Sequence, residues 1–291
     1  MLTTTAVTIS DHYPLMKFSI LIANYNNGRF FTDCYHSIIS QTYTDWEVII
    51  VDDGSSDNSL EIIGNLTRGD KRFKIFTNQE NRGCGYTKRK TLEFASGEIC
   101  GFLDPDDALE ENAIELSVKQ YHENNIVATY SKITFCDPKL KPVSDFKKIQ
   151  PILNDQYFFN LPIQIHHFFT FRKEVYDKTV GINPDLKSAV DQDLYLKILE
   201  QGDVSFIPVN LYLYRRHAKG ISQHSSKIKA KNNFAQVIWE TFKRRGITAI
   251  NGQKIPETYH NAQEIFDLLN YQNEIPFRLI KKLKMFFQKF S

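Results

Sequence analysis

Residues 17–53, KFSILIANYNNGRFFTDCYHSIISQTYTDWEVIIVDD, hold two short apolar runs, FSILIA and EVIIVDD, separated by a stretch of helical spacing from Phe30 to Ser40. Runs of this kind lack the polar alternation of a strand with one wet face. They belong in a mostly parallel sheet covered by helices on both sides. The βαβ rhythm then continues. Ser56 and Asp57 are placed to cap a helix running through Leu66, FKIFTN is a third strand, TKRKTLEFAS is a helix closed by Gly97, and EICGFLDPDD brings a fourth strand. The expected fold class is α/β, a Rossmann-like, mostly parallel sheet flanked by helices, with a small helical C-terminal extension.

On either side of this block the pattern loosens. Residues 1–16 carry no periodicity and read as a flexible leader. After Asp107 the spacing predicts a helix near Ala113–Asn124, a strand IVATYSKITF, and an irregular aromatic stretch from Asp137 to Phe171. A loop of that length in a folded domain is functional or disordered. FRKEVYDK and DQDLYLKILEQG read as helices joined by the turn-rich GINPDLKSAV, and SFIPVNLYLYRRH as a strand or strand pair. Beyond Ser226 the chain turns helical and basic, which puts a boundary near residue 225.

Composition narrows the function classes. The 291 residues are 42% hydrophobic, enough for a substantial core, and 36 basic against 34 acidic residues leave a net charge of +2, so there is no chain-wide field for nucleic acid. No run approaches the roughly eighteen apolar residues of a membrane span. The first residues lack the layout of a secretory signal, and a cytoplasmic location is expected. Cys34, Cys84, Cys100 and Cys136 form no CxxC pair and read as buried thiols.

The chemistry gathers at the strand ends, where ligands of open α/β sheets bind. Asn24-Tyr25-Asn26 follows the first strand, Asp52-Asp53-Gly54-Ser55 the second, Asn78 to Gly85 the third, and Asp104-Pro105-Asp106-Asp107 the fourth. Three carboxylates within four residues repel one another, and a divalent cation is a usual compensation. An isolated DPDD reads equally as a solvated acidic turn before the helix after Glu110. Its position in line with the other strand ends favours the metal, and oxygen ligands favour magnesium or manganese over zinc.

These segments together, KFSILIANYN, SIISQTYTDWEVIIVDDGSSDNS and NQENRGCGYTKRKTLEFASGEICGFLDPDD, resemble the nucleotide-sugar half of the family 2 inverting glycosyltransferases, which have the GT-A fold. AVDQDLYLKIL resembles the family's "ED" helix start, and YLYRRHAKGIS its late strand ending in a metal-facing histidine. The resemblance implies a GT-A domain over 17–225, with a nucleotide-sugar half at 17–110 and an acceptor half at 111–225, followed by a helical region at 226–291.

The same resemblance implies roles. Tyr25 stacks on the uracil of a UDP-sugar, Asp53 accepts from a base N–H while Asp52 holds the turn, and Asp104 and Asp106 form the DxD pair that contacts ribose and holds Mn2+ or Mg2+ on the diphosphate. Asp107 is an ambiguous third member. Lys88 and Arg89 are candidates to approach the diphosphate, against the plainer reading of solvated helix cations. Asp191, which alone would read as a helix N-cap, becomes the general base of an inverting transfer, with Asp193 structural and His217 a further metal ligand. Three positions depart from the family pattern: Val190 stands where Glu is usual, Lys90 where Asn is usual, and Ala23 where a polar residue or proline is frequent. The QxxRW motif of processive synthases is absent, which implies one sugar added per encounter to a hydroxyl of a glycan or lipid-linked acceptor.

Other classes fit less well. A sugar nucleotidyltransferase needs a glycine-rich basic loop after the first strand, where ANYNNGRFF has one glycine, and a dinucleotide oxidoreductase needs a third glycine that GCGYTK lacks. A degenerate binding module has no reason to keep Asp104, Asp106, Asp191 and His217 together. The tail, PFRLIKKLKMFFQKF, places Leu279, Ile280, Leu283, Phe286, Phe287 and Phe290 on one side of a helix and Arg278, Lys281, Lys282, Lys284 and Lys289 on the rest. Such a helix rests on a membrane surface through residues 277–290, at the inner face of the cell membrane, or packs on protein.

Overall fold

The two apolar runs form β1 (Phe18–Asn24) and β2 (Trp46–Asp52), paired in parallel so that Asn24 lies beside Asp52, in a computed structural model that describes residues 14–217 and 227–288. Between them α1 (Phe31–Ile39) buries Phe31, Cys34 and Ile38, one stripe of its surface. Then follow α2 (Ser59–Leu66), β3 (Phe73–Thr77), α3 (Cys84–Phe94) and β4 (Ile99–Phe102). Asp57 Oδ1 accepts from the Ser59 backbone N–H at 3.0 Å, just ahead of α2. Strands β1 to β4 are mutually parallel, so their carboxyl ends share one edge.

The second half adds β5 (Ala108–Leu109), α4 (Ala113–Glu123), β6 (Ala128–Cys136), β7 (Pro142–Asp145), β8 (Phe169–Arg172), α5 (Lys173–Asp177), α6 (Val190–Leu199) and β9 (Val204–Arg215). Among the described residues the sheet runs β3-β2-β1-β4-β8-β6-β9-β5, with β7 beside β6. The continuous parallel run therefore ends at β4, and among the described residues parallel pairing returns only between β6 and β9. Strand β8 enters antiparallel to both β4 and β6, and β5 pairs antiparallel with β9. The stretch read as irregular, 137–171, supplies β7 and the start of β8, and α3 begins at Cys84, ahead of the expected Thr87.

The sheet and its helices enclose one large core that includes Phe18, Ile20, Ile49, Phe102, Tyr130, Phe171 and Tyr212. A second, smaller core joins Phe159 to α7 (Lys227–Arg244) and α8 (Ala262–Leu269), with a small hairpin of β10 (Ala249–Ile250) and β11 (Gln253–Lys254) beside them. The chain closes with α9 (Ile275–Gln288). Cys34, Cys100 and Cys136 are buried free thiols, and Cys84 is half-buried. Residues 1–13 of the expected leader, the boundary near 225, and Lys289 and Phe290 of the tail lie outside the described residues. Met16 is tied to Tyr43, whose hydroxyl donates to its carbonyl at 2.8 Å. No described helix is long and apolar enough to cross a membrane.

Candidate active site

The shared edge of β1, β2 and β3 is built first by side chains that hold loops. Asp52 accepts from Asn24 Nδ2 at 2.7 Å, from the Ser55 N–H at 2.8 Å and from Ser55 Oγ at 2.6 Å, so it fixes the turn after β2. Asp53, also buried, accepts from Asn78 Nδ2 and the Arg82 N–H, both at 2.9 Å, and from the Gly83 N–H at 2.7 Å. Its carboxylate thus anchors the loop that leads into α3. An ionised carboxylate has about four acceptor positions, so one remains for a ligand N–H. Tyr25 is 45% exposed just beyond β1, with its ring free to stack.

Beyond β4 the three acidic residues part company. Asp107 is 2% exposed and accepts from Tyr212 Oη at 2.8 Å and from the Arg215 N–H at 2.7 Å, both on β9. Burial pushes its carboxyl well above the usual range, and Asp106 and Asp104 add to the rise. The ambiguous third member is a strut. Arg215 completes the joint by donating to the Asp106 and Pro138 carbonyls and to Asp33 Oδ2. Asp106 meets His217, Nε2 to Oδ2 at 2.7 Å, and burial raises its carboxyl, with Asp104 adding to the effect and His217 opposing it.

Asp104 turns instead toward Lys88, Oδ1 to Nζ at 3.3 Å, and Lys88 also donates to Asp191 Oδ1 at 2.7 Å. Lys88 is 3% exposed. Burial works against its charge, yet Asp104 and Asp191 hold its pKa well above the ordinary lysine value. Burial alone would likewise raise the Asp191 carboxyl. The charges of Lys88 and His167 override it and hold Asp191 at about 2. Asp191 sits in the first turn of α6, after Ala189 at φ +60°, and its partner two positions on, Asp193, is buried against Lys197 at 2.7 Å and accepts from the Asn183 N–H.

Two site residues escaped the sequence reading. His167 places Nε2 3.8 Å from Asp104 Oδ2 and 4.0 Å from Asp191 Oδ2, and its ring stacks on Tyr212 with centroids 4.8 Å apart. Burial first, then the neighbouring His167, lowers His166 to about 3, so His166 is neutral. Both lie in the aromatic stretch 137–171, where the only signal was the unusual length of the apparent loop. Arg89, the next residue of α3, projects about 100° around the helix from Lys88. It donates to the Ile182 carbonyl at 3.0 Å and the Val180 carbonyl at 3.3 Å, so it secures the 180–182 loop and stands apart from the carboxylates.

The residues expected to hold a metal are Asp104, Asp106 and His217. Among the described residues no group of three or more His, Cys, Asp or Glu side chains converges on one point. Asp106 and His217 are in contact, and Asp104 is held by Lys88. The donor set nevertheless suits a divalent cation: the two carboxylates match manganese or magnesium, the imidazole adds a nitrogen donor that favours a transition ion, and among the described residues His217 Nδ1 is buried with no hydrogen-bond partner.

A sheet of this topology, with Asp104, Asp106 and Asp191 gathered beyond its strands, has the architecture of the GT-A glycosyltransferases. The structure superposes on Staphylococcus aureus TarS 1–349 in complex with UDP-GlcNAc with a TM-score of 0.66 at 21% identity, over 88% of this chain and 72% of that one. It also matches the mannosyltransferase PcManGT of Pyrobaculum calidifontis in complex with GDP-Man and Mn2+, with a TM-score of 0.57 at 16% identity, over 88% of this chain and 69% of that one. The chain belongs to Glycosyl transferase family 2, whose sequence model matches residues 19–180. Over 271 residues it is 30% identical to the hyaluronan synthase of Pasteurella multocida, covering 92% of this chain and 27% of that protein. The chain spans about a quarter to a third of the length of the hyaluronan and chondroitin synthases that it matches.

Proposed function

We propose that the chain moves one sugar at a time from a UDP-sugar to a hydroxyl of a glycan or lipid-linked acceptor, with inversion at the anomeric carbon and with Mn2+ or Mg2+ as cofactor. The observation that carries this reading is Lys88. One buried ammonium bridges Asp104, on the donor side, to Asp191, on the acceptor side, so both carboxylates border a single centre. In this reading Tyr25 stacks on the base, the free acceptor position of Asp53 takes a base N–H, and Lys88 shifts from Asp191 toward the incoming diphosphate. Asp191 then takes the proton of the acceptor hydroxyl as that oxygen attacks from the face opposite the diphosphate. Asp104, Asp106 and His217 would hold the cation, which when bound supplies charge stabilisation for the departing diphosphate. The synthase name of the Pasteurella relative favours polysaccharide assembly as the setting, and the UDP-GlcNAc in the TarS complex favours uridine over the guanosine of the PcManGT complex.

A panel of UDP-sugars and GDP-mannose, assayed for nucleoside diphosphate release with manganese, magnesium or chelator, tests the reading. UDP release that needs metal is expected. Asp191→Asn keeps the shape of the side chain but takes no proton at neutral pH, so kcat should fall about a hundred- to ten-thousand-fold with donor binding retained. Near-wild-type turnover of that variant, or a product that retains the donor's anomeric configuration, contradicts the assignment of Asp191.

A further inference from the structure

Among the described residues, the contacts that hold helix α9 to the body lie on one side of it. Phe277, Lys281 and Met285, spaced four apart, are its half-buried residues. Phe277 packs edge-on against Tyr271 with ring centroids 4.9 Å apart. Lys281 Nζ donates to Gln164 Oε1 at 2.9 Å and lies 5.4 Å from the Phe158 ring centroid. Every large apolar residue off that stripe faces outward. Ile275, Leu279, Ile280, Leu283, Phe286 and Phe287 are 53% to 71% exposed. At about 100° per residue they fill one continuous arc of about 140°. Exposed cations border the arc, Arg278 and Lys282 along one edge and Lys284 along the other, and no acidic residue occurs between Ile275 and Gln288.

We propose that this face of α9 docks on an anionic lipid surface. The charge pattern selects that occupant. A protein partner or a second copy would seat an apolar stripe against apolar residues, and interface centres are depleted of lysine. A bilayer surface instead offers acyl chains for the stripe and, within a Debye length, negative headgroups for cations on both of its edges. The attachment through Phe277 and Lys281 lies opposite the arc, so the helix can lie flat while the body stays in water. Fourteen residues give a helix of about 21 Å, too short to span the hydrocarbon core and suited to resting along its boundary. The inference does not depend on which sugar is transferred.

The test uses the full chain with sedimenting vesicles of phosphatidylcholine containing phosphatidylglycerol, compared with phosphatidylcholine alone. Binding is expected to the anionic vesicles, and it should weaken as ionic strength rises from about 0.1 M to about 1 M, where the Debye length shrinks to about 3 Å. The double variant Lys282→Gln with Lys284→Gln should lower partitioning about 25-fold, from roughly fivefold per headgroup-level cation. Phe286→Ser with Phe287→Ser should lower it by about tenfold or more even at low salt. Both variants change exposed residues, and their Tm should match the wild type. Three results overturn the proposal: no binding of the wild type to anionic vesicles at low salt, a marked fall in Tm for the Phe286 and Phe287 variant, or a wild-type dimer that this variant converts to monomer. The second would make the face a packing surface, and the third would make a second copy its occupant.

Discussion

Lys88 and Asp191 lie 103 residues apart in sequence and 2.7 Å apart in space, and in the proposed mechanism that contact tunes the base. A base acts in its ionised form, so activity is lost as pH falls through its pKa. With Lys88 present Asp191 is held at about 2, so kcat/KM should show no acid limb between about pH 5 and 8. In Lys88→Met the carboxylate keeps its burial, which raises its pKa, and loses the ammonium that lowered it most. The acid limb should therefore move upward, with His167 still opposing the effect of burial, and the donor KM should rise by about tenfold or more if Lys88 also meets the diphosphate. An acid limb that stays put would show that Lys88 does not tune Asp191. Much of this cluster was legible because Asp104, Asp106, Asp191 and His217 stand at strand or helix ends, where a polar residue is conspicuous. Lys88 was legible only as a candidate, since one lysine among Lys88, Arg89 and Lys90 on a helix carries no mark of burial. His167 left no mark, because its approach to Asp104 and Asp191 depends on how an irregular segment folds back.

At the scale of elements, the approach of the 183–187 loop to the sheet's first half rests on the first turn of α3. The Gly85 N–H donates to the Leu186 carbonyl at 2.9 Å, and a Cβ at Gly85 would fall 2.5 Å from the Asn183 carbonyl oxygen and 2.6 Å from that of Leu186. The 183–187 loop can cross α3 only because this side chain is missing, and the same loop delivers Asp191 to Lys88. Gly85→Ala favours the helix itself by roughly 1 kcal/mol, so α3 should persist while the loop is displaced. A fall in kcat of about a hundredfold, from angstrom-scale misplacement of the base, is expected with a much smaller change in Tm. Unchanged kcat would mean that the loop tolerates the shift and that the glycine is not the point of contact between the halves. The pattern GCG was visible in the sequence as a loop feature, but its purpose was not. A close approach belongs to the other segment, and nothing near Gly85 encodes Asn183. Strand β8 was hidden for a related reason. Its four residues, Phe169–Arg172, have no turn signals around them and become a strand through the partners β4 and β6.

For the whole molecule, the strong periodicity of 17–107 made the parallel half readable, and the weaker text after it concealed how the C-terminal region supports the site. Phe159 is fully buried in the smaller core, its ring 4.6 Å from that of Phe242 on α7. One residue on, Asn160 accepts from the Gln164 and Ile165 N–H groups and donates to Gln192 Oε1 at 2.7 Å, on the same turn of α6 as Asp191. Arg245 donates to the Gln156 and Phe158 carbonyls and pairs with Glu200 beyond α6. The segment that carries His166 and His167 is thus clamped from behind by α7 and α8. Removing residues after Glu274 deletes α9, whose contacts with the body include one Lys281 hydrogen bond and one Phe277 ring contact, and should leave Tm and donor turnover close to wild type. Removing everything from Lys227 uncovers Phe159 and strips Glu200 of its partners Arg244 and Arg245. Each large apolar side chain returned to water costs about 1.5–3 kcal/mol, and several of them approach the about 5–15 kcal/mol by which a domain is stable. That shorter chain should lose its cooperative thermal transition and its turnover together. If it instead melts cooperatively and still releases nucleotide at the wild-type rate, the C-terminal helices are an accessory and the clamp on 156–167 is not what orders the site.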